Sequence, residues 1–216
     1  MNQKPFYYCV PGTVVSKEIL QRVKEINETY SKSKNFPKYM RDLAEFFKLK
    51  KPTTTTESKL FFGGFVEGEA SLNISAKKLK TAKFGVIVDS EFTATEHIND
   101  IFHLYAALSI FKTGRIRHKG GAEFVFVVCD RVSIQDKVIP FFESYVLPYA
   151  SFEKVERMQT FKELLLLMKS KEHLNLEGLI NKVLPLWDSL RGQKNQAFES
   201  LDAAQDFVRN HSKTKK

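Results

Sequence analysis

Apolar residues recur along this chain with two different spacings, and the change from one spacing to the other divides the sequence into elements. Over residues 16–30 they lie three or four positions apart, which predicts a helix, and residues 37–47 repeat this spacing in a shorter stretch. Residues 50–56 are lysine, proline and threonine without any period, which is typical of a linker. Residues 1–56 are therefore predicted to form an N-terminal helical arm and linker.

The next segment changes from helical to strand periodicity. A helix punctuated by glycines is predicted over residues 58–69, and a strictly alternating strand follows over residues 71–77. A return strand over residues 83–89 completes a hairpin. Thr93 and Glu96 have the spacing of a capping box, so the following helix is predicted to begin there and to continue through residue 111.

A second hairpin is predicted around a Gly120–Gly121 turn, between strands over residues 115–119 and 123–129. Further helices are predicted over four stretches, namely residues 133–147 with an interruption at Pro140, and residues 151–170, 174–190 and 200–210. This order predicts an α+β fold in which helices cover one face of a four-stranded antiparallel sheet. The predicted divisions are the arm (1–56), the core (57–170) and a C-terminal helical extension with a basic tail (171–216).

The uncovered face of the predicted sheet is polar and basic. Alternation places these side chains on it: Ser71, Asn73, Ser75, Lys77, Arg115, Arg117 and Lys119. At about 3.3 Å per residue, such strands present a row of side chains about 20 Å long. The row suits the major groove of DNA, where arginine and lysine pair with guanine and asparagine with adenine. A charged face that is only solvated explains the pattern equally well.

The charge balance favours a polyanionic partner. Lysine and arginine number 34 against 25 acidic residues, which gives a net charge of +9 and a pI near 9.4. Such an excess is typical of proteins that bind nucleic acid or an acidic membrane surface, although an inert basic surface has the same composition.

The two cysteines and the N-terminal sequence indicate in which cellular compartment the protein is expected to work. Cys9 and Cys129 are far apart in sequence, which argues against a disulfide framework and a zinc site. No apolar run is long enough to span a bilayer, and residues 1–6 lack the features of a signal or transit peptide. If the protein works in an organelle, we expect it to be made there.

The glycine-punctuated helix has two features that require an explanation. Gly64 and Gly68 lie one helical turn apart and leave a stripe without side chains, where another backbone can approach closely. Glu69 follows where the helix must end, although negative charge at a helix C-terminus is unfavourable.

Residues 62–70, with the sequence FGGFVEGEA, resemble the nine-residue LAGLIDADG signature of homing endonucleases. The resemblance covers residues 58–170. Four segments are most similar to enzymes encoded by chloroplast group I introns in large-subunit ribosomal RNA genes: residues 62–75, 83–92, 111–119 and 174–187. The resemblance implies an αββαββα core and a location in the chloroplast. The implied activity is cleavage of a long pseudo-palindromic DNA duplex at an intron-insertion site, with short 3′ overhangs.

The resemblance also implies roles for individual residues. Glu69, together with the backbone carbonyl of Gly68, is expected to hold Mg²⁺, or Mn²⁺ or Ca²⁺ in its place. Hard cations of this kind prefer oxygen ligands, and a DNA phosphate completes such a set. Glu96 stands where the family commonly has an active-site glutamine, unless it is only part of the capping box. Lys154 and Arg157 are candidates for a basic residue near the scissile phosphate.

A single motif copy implies a homodimer in the resembling family. Its motif helices cross at a two-fold axis, so Phe62, Gly64, Phe65 and Gly68 are the expected interface residues. The symmetry brings the two Glu69 carboxylates together, one for each DNA strand. Two alternatives remain open: an RNA-binding maturase that assists group I intron splicing, and a DNA-binding relative that does not cut.

Overall fold

A computed structural model describes residues 4–190 and 197–214. Residues 1–3 and the last two lysines of the predicted basic tail lie outside the described residues. The predicted arm helices are confirmed as α1 (Lys17–Ser33) and α2 (Phe36–Phe47). Each begins at a polar cap, because the side chain of Ser16 accepts a hydrogen bond from the Ile19 N–H and that of Asn35 accepts one from the Lys38 N–H.

The core contains the predicted four-stranded antiparallel sheet. Helix α3 (Thr56–Glu69) leads into β1 (Ala70–Lys78), and β2 (Val86–His97), β3 (Arg115–Gly120) and β4 (Glu123–Val128) follow. The strands lie in the order β1-β2-β4-β3. The pairs Phe92↔Val128 and Arg115↔Val127 give the register of β4 with its two neighbours. The α+β class and the sheet predicted from sequence are therefore confirmed.

The predicted boundary between β2 and the next helix is wrong. Strand β2 does not end at Asp89 but continues to His97, and Thr93 and Glu96 lie within it, opposite Val127 and Phe124 of β4. A 3₁₀ turn (Ile98–Asp100) then leads into α4 (Ile101–Phe111). The capping-box spacing was a coincidence, because pairing with β4 outweighs a local helix-start signal and β-branched Thr93 suits a strand.

Helices complete the fold on the C-terminal side. They are α5 (Arg131–Ser133), α6 (Ile139–Tyr145), α7 (Phe152–Lys169), α8 (Leu176–Gly178), α9 (Leu184–Ser189) and α10 (Leu201–Thr214). Two π-helical segments, Ile134–Val138 and Leu179–Val183, join α5 to α6 and α8 to α9. A proline follows each π segment, at Pro140 and Pro185. The wider π turn accommodates a residue that lacks an N–H and clashes in a regular helix.

Aromatic side chains form the core beneath the C-terminal half of β2. Phe92 of β2 meets Phe111 of α4 edge-on, with centroids 5.3 Å apart, and Phe126 of β4 stacks on Phe111 at 5.8 Å. Phe141 approaches the same ring to 5.1 Å. Such ring pairs stabilise a core by about 0.5–1.5 kcal/mol each beyond their buried area. Phenylalanines, which are frequent in this sequence, therefore form much of the packing in this core.

Packing divides the chain into two compact units. The first contains the chain up to Ser71, together with Phe92–Val128 and Pro140–Pro148; the second contains Leu72–Glu91, Cys129–Ile139 and the chain from Tyr149 onward. These units interleave along the sequence, so the division at residues 56 and 170 remains a prediction. Within the described ranges, no helix has the length and apolar character needed to cross a membrane.

The arm covers the open edge of the sheet at β3. The backbone N–H of Ile116 donates to the Tyr39 hydroxyl at 2.8 Å, and the Ile116 carbonyl accepts from Asn27 Nδ2 at 2.9 Å. An unpaired edge strand invites pairing with another chain, and these two arm side chains occupy backbone groups that would otherwise be available. Burial raises the pKa of Tyr39, so its hydroxyl stays protonated throughout the working pH range.

Replacing Tyr39 with phenylalanine is expected to destabilise the fold. Tyr39→Phe leaves the buried N–H of Ile116 without its acceptor, which typically costs about 1–3 kcal/mol. Urea unfolding measures this loss. Tyr149→Phe is the control, since Tyr149 is 77% exposed and should lose almost nothing. Equal stability of the two variants would contradict the proposed edge contact.

Candidate active site and nucleic-acid interface

The motif helix passes into β1 without an intervening turn. Glu69 is the last residue of α3, and Ala70 is already extended, with φ −98° and ψ 151°, while its N–H still bonds to the Val66 carbonyl. Gly68 and Glu69 are exposed, whereas Val66 is fully buried. The chain therefore presents the Glu69 carboxylate at the surface, two residues before the first outward-facing side chain of the strand.

Helix α3 has a buried face and an exposed face. A Cβ on Gly63 would collide with the backbone carbonyl of Tyr145, so glycine permits this close approach. Gly64 and Gly68 have open space around them, and Phe61 beside them is 75% exposed. This exposed face agrees with a seam for a second copy.

Phe62 and Phe65 differ in their placement on the motif helix. Phe62 is 4% exposed and packs against Phe111 and Phe141, with centroids 6.1 and 5.8 Å away. The expectation that it lines a dimer interface is therefore corrected: it belongs to the core of the subunit, and Phe61 takes the exposed position. Phe65 is half-buried and its ring lies 5.2 Å from that of His103.

Glu96 lies near the end of β2 on the same packing unit as Glu69. Its Oε1 is 3.3 Å from His103 Nδ1, and 18% of its side chain is exposed. Because Glu96 is in a strand, the capping-box explanation is excluded. The pair with His103 and the contact of His103 with Phe65 link Glu96 to the motif helix. An active-site role for Glu96 stays a prediction.

The two basic candidates on α7 have different surroundings. Arg157 Nη2 donates to the carbonyls of Leu72 and Leu190, at 3.2 and 3.0 Å, so it ties β1 and the end of α9 to α7. The Lys154 backbone N–H bonds to Ser151 Oγ, and its half-buried side chain lies in the first turn of the helix. The geometry gives Arg157 a structural task, and a phosphate contact by either residue stays a prediction.

The predicted outward residues of β1 alternate as expected. Leu72, Ile74 and Ala76 are buried, and the intervening residues Ser71, Asn73, Ser75 and Lys77 are exposed or half-buried. Lys77 Nζ lies 3.3 Å from Asp89 Oδ2 on the neighbouring strand. Two partly exposed groups of this kind stabilise the fold by no more than about 1 kcal/mol.

The outward residues of β3 are held in different ways. Arg117 is exposed. Lys119 lies at a register shift in the β3–β4 pairing, and its Nζ is 3.3 Å from Thr95 Oγ1 and 3.4 Å from Glu123 Oε2. Arg115 is half-buried and bonds to Ser31 of the arm at 3.2 Å.

The sequence interpretation missed the outward residues of β2. Because β2 continues to His97, the polar face also contains Asp89, Glu91, Thr93 and Thr95. Alternation of Val86, Val88, Phe92 and Ala94 as buried residues was the available signal. The apparent capping box concealed it by assigning residues after 92 to a helix.

The donor set at the motif end suits a hard divalent cation. In the part of the chain that the structure describes, no group of three or more histidine, cysteine or acidic side chains could hold a metal. Glu69 stands at a helix C-terminus, where the last carbonyls lack helical partners and the helix dipole is negative. A cation would remove the conflict between Glu69 and this dipole, and a nucleic-acid phosphate would complete its oxygen ligands.

Comparison with known proteins identifies the family. The LAGLIDADG endonuclease model matches residues 62–165. DNA endonuclease I-CeuI of Chlamydomonas moewusii is 51% identical over 208 residues, covering 94% of this chain and 95% of that protein. The chain belongs to the LAGLIDADG endonuclease family. It is an endodeoxyribonuclease of this family, whose members depend on a divalent metal ion.

Solved structures of LAGLIDADG endonucleases share its fold. The group I intron-encoded homing endonuclease I-CeuI, solved in complex with DNA, superposes with a TM-score of 0.90 at 50% identity and covers 94% of this chain and all of that one. The I-SmaMI LAGLIDADG homing endonuclease bound to cleaved DNA gives a TM-score of 0.60 at 27% identity, covering 71% of this chain and 49% of that one. The match to I-CeuI spans the arm as well as the core.

Arg157→Met is expected to lower the thermal stability of the protein, because Arg157 binds two backbone carbonyls. The substitution keeps the aliphatic stem but removes the donor to two backbone carbonyls, at a cost of about 1–3 kcal/mol. Thermal unfolding of Lys169→Met on the exposed end of α7 serves as the control. A fully stable Arg157→Met that has lost cleavage would instead make Arg157 a catalytic residue.

Proposed function

We propose that this protein is a site-specific homing endonuclease that cuts both strands of a long pseudo-palindromic DNA duplex. The observation that carries this proposal is the exposed Glu69 carboxylate at the α3–β1 junction, directly before a strand with polar outward residues. The substrate is the uninterrupted intron-insertion site, and cleavage leaves short 3′ overhangs. The family membership of the chain and the DNA-bound state of the solved I-CeuI structure support this substrate.

The outward face of the sheet is the proposed DNA-binding surface. Ser71, Asn73, Ser75, Lys77, Arg115, Arg117 and Lys119 supply hydroxyl, amide and cationic donors, and Thr93 and Thr95 of β2 extend the set. Cationic side chains attract the phosphate backbone and release counterions, which makes binding strongly dependent on salt. Short polar side chains in the same rows contact base edges, so affinity and sequence preference come from different members of one surface.

Glu69 and the Gly68 carbonyl are the proposed ligands of Mg²⁺, with Mn²⁺ or Ca²⁺ as substitutes. When bound, the ion supplies electrostatic stabilisation of the charge that develops on the phosphodiester. The chain itself places that site, because α3 ends at Glu69 and β1 begins at the next residue. Lys154 is the proposed basic contact to the cleaved strand. Glu96, held by His103, is proposed to shape the polar environment of the site.

The proposed assembly is a homodimer with α3 at its two-fold axis. A single motif supplies one Glu69, and cutting two strands symmetrically requires two. Gly64, Phe65 and Gly68, with the exposed Phe61, form the proposed seam. Small residues at such a seam let the two helix backbones approach closely.

The gene is proposed to lie within an intron of an organellar gene for large-subunit ribosomal RNA. The match to the intron-encoded I-CeuI supports this setting, and a chloroplast is the proposed compartment. Cleavage of the allele that lacks the intron then provides the break into which the intron is copied.

Glu69→Gln is expected to abolish cleavage while DNA binding persists. The amide keeps the size of the side chain but removes its charge, and loss of a metal ligand lowers the cleavage rate by at least about 100-fold. Cleavage of the insertion-site duplex with Mg²⁺ and gel-shift binding with Ca²⁺ measure the two properties. Glu57→Gln, at the other end of α3, is the matched control. Undiminished cleavage by the Glu69 variant would refute the proposed role.

Gly64→Leu is expected to weaken the dimer without unfolding the subunit. A side chain at Gly64 meets open space within the subunit, so its cost arises only where a second α3 approaches. We expect the dimer dissociation constant, measured by sedimentation equilibrium, to rise by about 10-fold or more. Gln21→Leu on the exposed face of α1 is the control. A Gly64→Leu protein that dimerises like the wild type would place the seam elsewhere.

A further inference from the structure

Arg115, the first residue of β3, is held by the N-terminal arm. Its Nη1 donates to the Ser31 hydroxyl oxygen at 3.2 Å, and its guanidinium carbon lies 5.8 Å from the centroid of the Tyr30 ring. Both partners are at the C-terminal end of α1. Arginine stacks favourably on an aromatic face, and a hydrogen bond at one nitrogen also restricts rotation of the planar group.

The arm is itself anchored to the residue that follows Arg115. Tyr30 stacks on Tyr39 with centroids 4.5 Å apart, and the Tyr39 hydroxyl accepts the Ile116 N–H. Asn27 binds the carbonyl of Ile116. Because the same arm surface holds the backbone at Ile116 and the side chain at Arg115, it determines the direction of the guanidinium relative to the strand.

Among the side chains that the structure describes, no carboxylate forms an ion pair with Arg115. Lys77 pairs with Asp89 and Lys119 with Glu123 on the same sheet. Among the described residues, Arg115 has no such ion pair, and its one side-chain hydrogen bond uses one of five N–H donors. The guanidinium of Arg115 is positively charged and half-buried. Its other N–H groups can donate to two adjacent acceptor atoms on a polyanion.

We infer that the arm is a specificity element, in which Tyr30 and Ser31 orient Arg115 to donate two parallel hydrogen bonds to a guanine in the major groove. Guanine presents O6 and N7 side by side, and the arginine fork matches this spacing. Ordering the side chain before DNA arrives reduces the entropy lost on binding. The inference rests on the proposed DNA-cleaving function and adds to it a task for the arm, with Ser31 and Tyr30 as positioning residues.

The test compares base preference rather than overall activity. Wild-type protein and variants cut duplexes in which each base pair of one half-site is replaced in turn. Arg115→Ala is expected to lose a preference for one G·C pair by about 5- to 100-fold. Ser31→Ala is expected to lose about 2- to 10-fold of the preference at that same pair. Arg115→Lys keeps the charge but not the fork, so it should bind DNA and lose the same preference.

Controls separate this role from a structural one. Ser33→Ala, two residues further along α1, and Arg41→Ala on α2 make the same chemical changes in the arm and should keep every base preference. Thermal unfolding of each variant establishes that it is folded at the assay temperature. Arg115→Lys remains informative if Arg115→Ala does not fold.

The outcomes are distinct. Loss of preference at a single G·C pair, shared by the Arg115 and Ser31 variants, supports the inference. Equal slowing of cleavage on all duplexes, with unchanged base preference, would overturn it and leave the arm a purely structural element. If the wild-type protein cuts none of the duplexes, the proposed function itself fails, and this result is separate from a change of preference.

Discussion

The backbone of Ala70 belongs to a helix and a strand at once, and the arrangement of the site depends on this. Its N–H completes the last helical hydrogen bond to Val66, while its dihedral angles are those of the strand. No loop separates the two elements, so the backbone of Glu69 passes directly into the strand. A backbone placed in this way suits the proposed metal ligand, because a displacement of about 1 Å can cost two orders of magnitude in rate.

The N-terminal arm binds the edge strand of the sheet and is not a separate appendage. Strand β3 is an edge strand, and its backbone at Ile116 is satisfied by Tyr39 and Asn27. Covering the edge prevents unwanted pairing and simultaneously holds Arg115. One set of contacts therefore serves both stability and the proposed recognition of DNA, which makes the arm difficult to remove without affecting both properties.

Gly63 and Gly64 lie in different surroundings on the motif helix, although they look alike in sequence. Gly63 is required inside the subunit, where the Tyr145 carbonyl leaves no room for a Cβ. Gly64 is required, if the proposed dimer forms, by a second chain. Helical glycine costs up to about 1 kcal/mol relative to alanine, so each needs a compensating contact. Gly63 meets that requirement within the subunit, and Gly64, on the adjacent exposed face of the helix, meets it at the proposed dimer seam.

Local sequence patterns determined much of this protein. Alternation in β1, helices α1 and α2, the helix that ends at Glu69 and the α+β order of elements were all predictable, because each depends on neighbours in sequence. Tertiary structure decided the rest. Pairing with β4 extended β2 through Thr93 and Glu96, the aromatic core absorbed Phe62, and two carbonyls recruited Arg157. These outcomes depend on contacts between residues that are distant in sequence. A local pattern does not specify which distant residues will form those contacts.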